Sequence, residues 1–144
     1  MLLAARDLVD TARQEQLSSA SVDPNDPSLR QYLQSRLGTG TQERLLVIFC
    51  DHAKQYLLDE EMGWGTSGNV RFNMVKLFRR SLELDAACLL LVHNHPSGQC
   101  LPSDDDIDST RRLAATAQAL GLTILDHLIV TQRQCYSLRA GALL

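Results

Sequence analysis

Several familiar classes are excluded by what this chain does not contain. No window approaches the roughly 18 consecutive apolar residues of a membrane span, so no membrane partner is expected. The opening MLLAARDLVDTARQEQL carries Arg6 and Asp7 inside its apolar stretch, with no basic region ahead of them, unlike a secretory signal. The expected compartment is therefore the cytoplasm. There is no excess of positive charge: the formal net charge is −3, which gives no bulk attraction to nucleic acid and leaves only a local patch open. The four cysteines, Cys50, Cys88, Cys100 and Cys135, form no CxxC pair, so a zinc knuckle or redox motif is not expected. In a cytoplasmic chain they read as thiols rather than bridges. No internal repeat is present, and a homo-oligomer is left open.

What is present suits one compact domain: 144 residues, 44% of them hydrophobic. Leu3, Ala4, Leu8 and Ala12 have a weak helical spacing over 3–17, and SSASVDPNDPS (18–28) reads as a polar linker. The expected division is an N-terminal helix and linker, 1–27, followed by a domain over 28–144. In that domain Ser28 is expected to cap a short helix ended by Gly38. RLLVIFC (44–50) and QYLLDEEM (55–62) read as a hairpin turning at DHAK, and the glycine-rich GWGTSGN (63–69) as irregular chain. An amphipathic helix is expected from Asn73 to Asp85. AACLLLV (86–92) is a continuous apolar strand, which belongs at the centre of a sheet covered on both faces. Asp104 to Leu120 reads as a helix with Gly121 as its stop, and LTILDHLIVT and CYSLRA as closing strands around Gln132-Arg133-Gln134. This order predicts an α/β domain, a three-layer α-β-α arrangement with a mixed central sheet.

The chemistry concentrates in HNHPSGQCLPSDDD (93–106). If the apolar strand runs on through His95, then His93 and His95 face the same side, because the side-chain period is two. Pro96 favours an extended backbone at His95. Two imidazoles ending a buried strand need a use, since burying polar rings is costly. Ser103 and Asp106 fit a capping box, and acidic residues are ordinary in a first helical turn. The same cap would hold a carboxylate ionised beside the histidines. Two histidines with a carboxylate leave a tetrahedral zinc one open position, the arrangement of catalytic rather than structural sites. Glu60 and Glu61, at the end of the second strand, face opposite ways, so one of them at most can act there as a base.

The run E…HxHPxxxxxxSxxD resembles the metal signature of the JAMM (JAB/MPN) metalloprotease superfamily. More closely, VHNHPSGxxxPSxxD followed by LDHLIV is similar to the RadC family over about residues 28–141. The resemblance implies the JAB/MPN, cytidine deaminase-like fold, with His93, His95 and Asp106 as ligands of Zn2+ and Ser103 stabilising an oxyanion. It implies Glu60 as general acid/base, chosen over Glu61 by its spacing from Gly65-Thr66. The implied activity is metal-assisted hydrolysis of an amide or isopeptide bond in a peptide or protein substrate. The chain departs from the family pattern at Arg71-Phe72-Asn73-Met74, where relatives carry His/Tyr-Pro-Arg-Glu. The segment before the domain is also too short for the helix-hairpin-helix module of full RadC proteins.

Other residues have plainer expectations. Asp126 and His127 face opposite sides of a strand, and the one nearer the metal would be structural or would orient a ligand imidazole. His52 reads as a solvated turn residue and Cys100 as a loop thiol, although a thiolate there could approach the metal. Trp64 and Phe72 either pack or line a peptide groove. Arg79-Arg80 and Arg111-Arg112 are the basic pairs on which a DNA-associated alternative, in repair, defence or mobile elements, would rest.

Overall fold

The protein is described by a computed structural model covering residues 20–66, 69–70 and 73–144, with Leu8, Thr11, Ala12 and Glu15 ahead of them. Side chains at 64–66 and 69–70 are outside the description. The expected helix at 3–17 falls largely outside the described residues, as do the side chains of Trp64 and Phe72.

The elements run α1 (Pro27–Leu37), β1 (Glu43–Cys50), β2 (Tyr56–Thr66), β3 (Asn69–Val70), α2 (Met74–Glu83), β4 (Cys88–Asn94), α3 (Asp104–Ala119), β5 (Thr123–Val130) and β6 (Cys135–Ser137). The strands form one sheet in the order β3-β2-β1-β4-β5-β6. Every pairing is antiparallel except β4 with β5. That parallel pair needs a crossover, and α3 supplies it.

Alternation along the central strands sorts the core into two faces. Leu46, Ile48, Leu90, Val92 and Leu128 pack beneath α1 with Leu29, Leu33 and Leu37. Leu45, Val47, Phe49, Leu89 and Leu91 face the other way, beneath Leu77 of α2 and Leu113 and Ala117 of α3. The sheet is therefore the middle of three layers, and all of β4 is buried, as its unbroken apolar run requires. The chain joins this core ahead of residue 28: Val22 is buried and donates its N–H to the Lys54 carbonyl at 2.7 Å. No helix among the described residues is long and apolar enough to cross a membrane.

Several local expectations are corrected. The cap of α1 is Asp26 rather than Ser28: its side chain accepts the Ser28 N–H at 3.0 Å, and Pro27 takes the first turn, where a missing N–H costs nothing. GWGTSGN is not simply irregular. β2 continues through Thr66, and Gly65 and Thr66 pair with Val70 and Asn69. Ladder bonds to Glu43 and Arg44 of β1 offset the low strand preference of glycine, and the register slips between Leu45 and Leu46 to allow it. β4 starts later than expected but runs on through Asn94, carrying His93 inside the sheet. Asn73, part of the departure from the family pattern, caps α2 by accepting the Lys76 N–H at 3.1 Å.

On the α1 face, Asp59 is almost fully buried and ion-paired with Arg36, and it accepts hydrogen bonds from Tyr32 and Tyr56 at 3.2 and 2.8 Å. Burial and the Asp59 carboxylate push the Tyr32 hydroxyl up to about 12, so it stays a donor at neutral pH. This cluster ties α1 to the outer strand β2. Because Leu33 is wholly buried between α1 and the sheet, Leu33→Ala should lower unfolding free energy by about 2–5 kcal/mol. Urea denaturation should show this as a lower midpoint at an unchanged slope.

Candidate metal centre

His93 is the sixth residue of β4 and lies on the face covered by α2 and α3, two positions beyond Leu91. His95 follows just past the strand end, held by its own N–H to the Val130 carbonyl at 3.2 Å. The chain then turns through Gly98, whose φ of 85° suits glycine, and returns at Ser103 to start α3. The C-terminal end of β4 and the N-terminus of α3 thus meet, the usual place for a ligand site in an α/β sheet. Ser103 and Asp106 form the expected capping box: the Asp106 N–H reaches Ser103 Oγ at 3.1 Å, and the Ser103 N–H reaches Asp106 Oδ2 at 2.9 Å. The cap fixes the aspartate where the histidines converge.

One ligand atom each from His93, His95 and Asp106 lies within 4.8 Å of the others. The Nε2 atoms of the two histidines are 2.9 Å apart; Asp106 Oδ2 is 3.2 Å from His95 Nε2, and Oδ1 is 3.5 Å from His93 Nε2. Tetrahedral ligands at ~2.0–2.1 Å from a zinc ion stand roughly 3.3–3.4 Å apart, so these spacings suit such an ion.

Hydrogen bonding behind the cluster sets which nitrogens carry protons. Thr110 has one hydroxyl proton, and it goes to the Asp106 carbonyl at 2.6 Å, because a carbonyl can only accept. Thr110 Oγ1 must then accept from His127 Nδ1, also 2.6 Å away. Burial, reinforced by His93, drives the His127 pKa well below its ordinary value, so the ring is neutral and its Nε2 is a lone pair. That lone pair accepts the Nδ1–H of His93 at 2.6 Å, leaving Nε2 of a neutral His93 unprotonated. His95 Nδ1 donates to the Gln99 carbonyl at 2.8 Å, which assigns the same tautomer there. With both imidazoles neutral, two ring lone pairs and a carboxylate would face one another. They repel unless a proton or a cation stands among them, so the donor set fits a divalent metal. Burial would raise the Asp106 pKa, but bonding to His93, His95 and the Ser103 amide holds it well below the usual carboxylate range. His95 is raised: burial opposes its charge, and Asp106, the Gln99 carbonyl and Glu43 outweigh that.

His127 reaches this position through an irregularity. β5 has an extra residue, Leu125, opposite the Leu89–Leu90 step, and the shift turns His127 to the metal face beside Leu91. Asp126 turns the other way, where it accepts from the Ser137 hydroxyl and from the Arg139 N–H at 3.1 Å. The expected division of roles between the two residues is thus visible in their partners.

Glu60 is not brought to the cluster. It stands opposite Val47 on β2, and β1 separates that strand from β4, a lateral distance of about 10 Å at normal strand spacing. Its carboxylate is held by Arg80 of α2, at 2.7 and 2.8 Å. Glu61 faces the α1 side and pairs with Arg44 at 3.3 Å. A different glutamate shares the face of His93. Glu43, the first residue of β1, is 4% exposed and shares the face of Leu45 and Val47, and Leu45 pairs directly with His93. Its charge is among those that raise His95. A strand expected to begin at Arg44 misses it by one residue; extending the alternation of 45, 47 and 49 back by two would have found it.

Cys100 lies outside the metal group, its thiol directed to Gln134 Oε1 at 3.3 Å. His52 is an exposed turn residue, as expected. Of the basic pairs, Arg80 is taken up by Glu60 and Glu83, and Arg111 donates to the Leu143 carbonyl at 2.9 Å.

A mixed sheet between helix layers, with two histidines at a strand end and an aspartate in the following helix cap, defines a JAB-type domain with a candidate metal site. The chain belongs to the RadC family: the model of the RadC-like JAB domain matches residues 24–143. It is 42% identical over 111 residues to a UPF0758 protein of Acidithiobacillus ferrooxidans, covering 77% of this chain and 50% of that one. To UPF0758 proteins of Ruegeria pomeroyi and Rhodobacter capsulatus it is 39% identical over 113 residues and 38% identical over 117. Those matches cover 78% and 81% of this chain, and 50% and 55% of the relatives. The chain thus spans about half the length of the curated relatives it matches.

Thr110 should matter for metal affinity although it touches no metal. Thr110→Val removes the acceptor that sets His127, and should weaken zinc binding by about 10- to 100-fold in competition with a chromophoric chelator. Thr110→Ser should restore it, and unequal affinity of the serine variant would count against the relay.

Proposed function

We propose that this domain is a zinc-dependent metallohydrolase that cleaves a peptide or isopeptide bond. The observation that carries the proposal is the convergence of three metal-ligating groups, His93 Nε2, His95 Nε2 and the Asp106 carboxylate, at spacings suited to a tetrahedral ion. A zinc ion bound there would supply Lewis acidity toward a carbonyl oxygen and make water a stronger acid.

The chain's own groups divide the remaining work. Glu43 takes the general acid/base role: buried beside His95 on the metal face, it accepts a proton from the attacking water and returns it to the leaving amine. Ser103 uses its oxygen to accept the Asp106 N–H, and its own O–H is left to donate to the carbonyl oxygen as negative charge develops there. Asp106 and the two imidazoles stay fixed throughout, the aspartate by its cap and His93 by His127. Glu60, the glutamate the family spacing suggests, is better explained as the anchor of α2 through Arg80.

Metal content and turnover test this together. Protein purified without added metal should carry stoichiometric zinc, and His95→Ala/Asp106→Ala should carry none; a metal-free parent with an intact fold would sink the proposal. Against a pool of quenched peptides, Glu43→Gln should keep its zinc but lose about 10²- to 10⁴-fold in kcat. Glu60→Gln should stay near the parent rate. The reverse pattern would return the role to Glu60.

A further inference from the structure

Beside the metal group lies a cavity of about 620 Å³. Its walls come from three separate segments: Gly38 and Gly40 in the α1–β1 loop, His95 at the end of β4, and Thr131 and Arg133 in the β5–β6 turn. The first wall is tied down by Asn94, whose amide donates to the Gln42 carbonyl at 2.9 Å and whose oxygen accepts the Arg44 N–H at 2.7 Å. The third is tied by Thr131, which accepts the Gln134 N–H at 3.0 Å through its hydroxyl and bonds Gln34 of α1 through its carbonyl at 3.4 Å. A Cβ on Gly38 would stand 2.4 Å from the Gln34 carbonyl oxygen and 3.0 Å from the Thr131 backbone, so two walls touch where only glycine fits. The cavity is therefore preformed, as binding sites usually are.

Its charge is one-sided. Arg133 is the permanent cation of the lining, and no acidic side chain among the described residues contributes to it. The guanidinium is exposed and makes no hydrogen bond or ion pair among the described residues. At the α3 end of the metal group, by contrast, Asp104 and Asp105 are exposed in the first helical turn. A chain lying across the cluster meets positive potential on the cavity side and negative potential beside the helix, a difference that selects both sequence and direction.

We propose that this cavity is the subsite for a carboxylate-bearing residue of the peptide substrate, adjacent to the bond that is cut, with Arg133 as its partner. The proposal rests on the hydrolase reading for one point, that a peptide lies over the metal group. The planar guanidinium matches a carboxylate in two-point geometry, and the glycine walls admit main chain alongside it.

The test reads binding and not turnover. Zinc-loaded, ¹⁵N-labelled full chain is titrated with N-acetylated, amidated Gly-Gly-Xaa-Gly-Gly peptides in which Xaa is Asp, Asn or Lys. A non-amidated all-glycine peptide separates a terminal carboxylate from a side-chain one. The amide signals of Gly40, Thr131 and Arg133 should saturate with the Asp peptide at about five- to tenfold lower concentration than with Asn. Arg133→Gln should erase that difference, and Arg133→Glu should turn it in favour of Lys. Equal binding of Asp and Asn, a preference that survives Arg133→Gln, or no change at these amides with any peptide would each overturn the subsite. Hydrolysis by a chain with no such preference would sink the subsite alone, and a kept preference without hydrolysis would sink the hydrolase reading alone.

Discussion

One carboxylate joins the helix layer to the sheet at the point where chemistry is proposed. Asp106 is at once the third residue of a helix, half of a capping box, and the counterpart of two imidazoles. Removing an aspartate from water normally costs stability, yet here the Ser103 amide and the histidines hold it ionised. The same backbone turn presents its carbonyl to Thr110, which begins the relay to His127 and His93. Cap, ligand and tautomer relay are all set by the geometry of one helical turn.

The large elements were legible because burial leaves a periodic mark. The unbroken apolar run of β4 announced a strand covered on both faces, and the Ser103–Asp106 spacing announced the helix start. The clustering of His93, His95 and Asp106 was legible for a related reason: paired histidines at the end of a buried strand are costly to bury without partners. What escaped was set by tertiary pairing. Glycines at 63 and 65 read as loop because their place in the ladder depends on β1, which is distant in sequence. Glu43 escaped because its burial depends on a strand boundary that shifted by one residue. That Asp126 or His127 would orient a ligand imidazole was legible, but which of the two, and the Thr110 step behind it, was not, since both depend on the extra residue in β5 that turns His127 inward.

The two glutamate-bearing faces of β2 show how the outer strands are secured. Glu60 holds α2 through Arg80, and Asp59, one residue away on the opposite face, holds α1 through Arg36. Neighbouring acids on one strand thus serve two helix layers. The end of the sheet near His95 is left to loops and a helix start, which carry exposed charge of both signs in Arg133, Asp104 and Asp105.

The parallel pairing of β4 with β5 through α3 has a consequence for how the proposed site is divided along the chain. Every residue of the ligand set and its support, from His93 to His127, belongs to one continuous strand–helix–strand unit. Glu43 belongs to a hairpin formed elsewhere in the chain. The three candidate metal donors and the proposed base therefore lie on two units of the chain that are joined where β1 pairs with β4, Leu45 opposite His93.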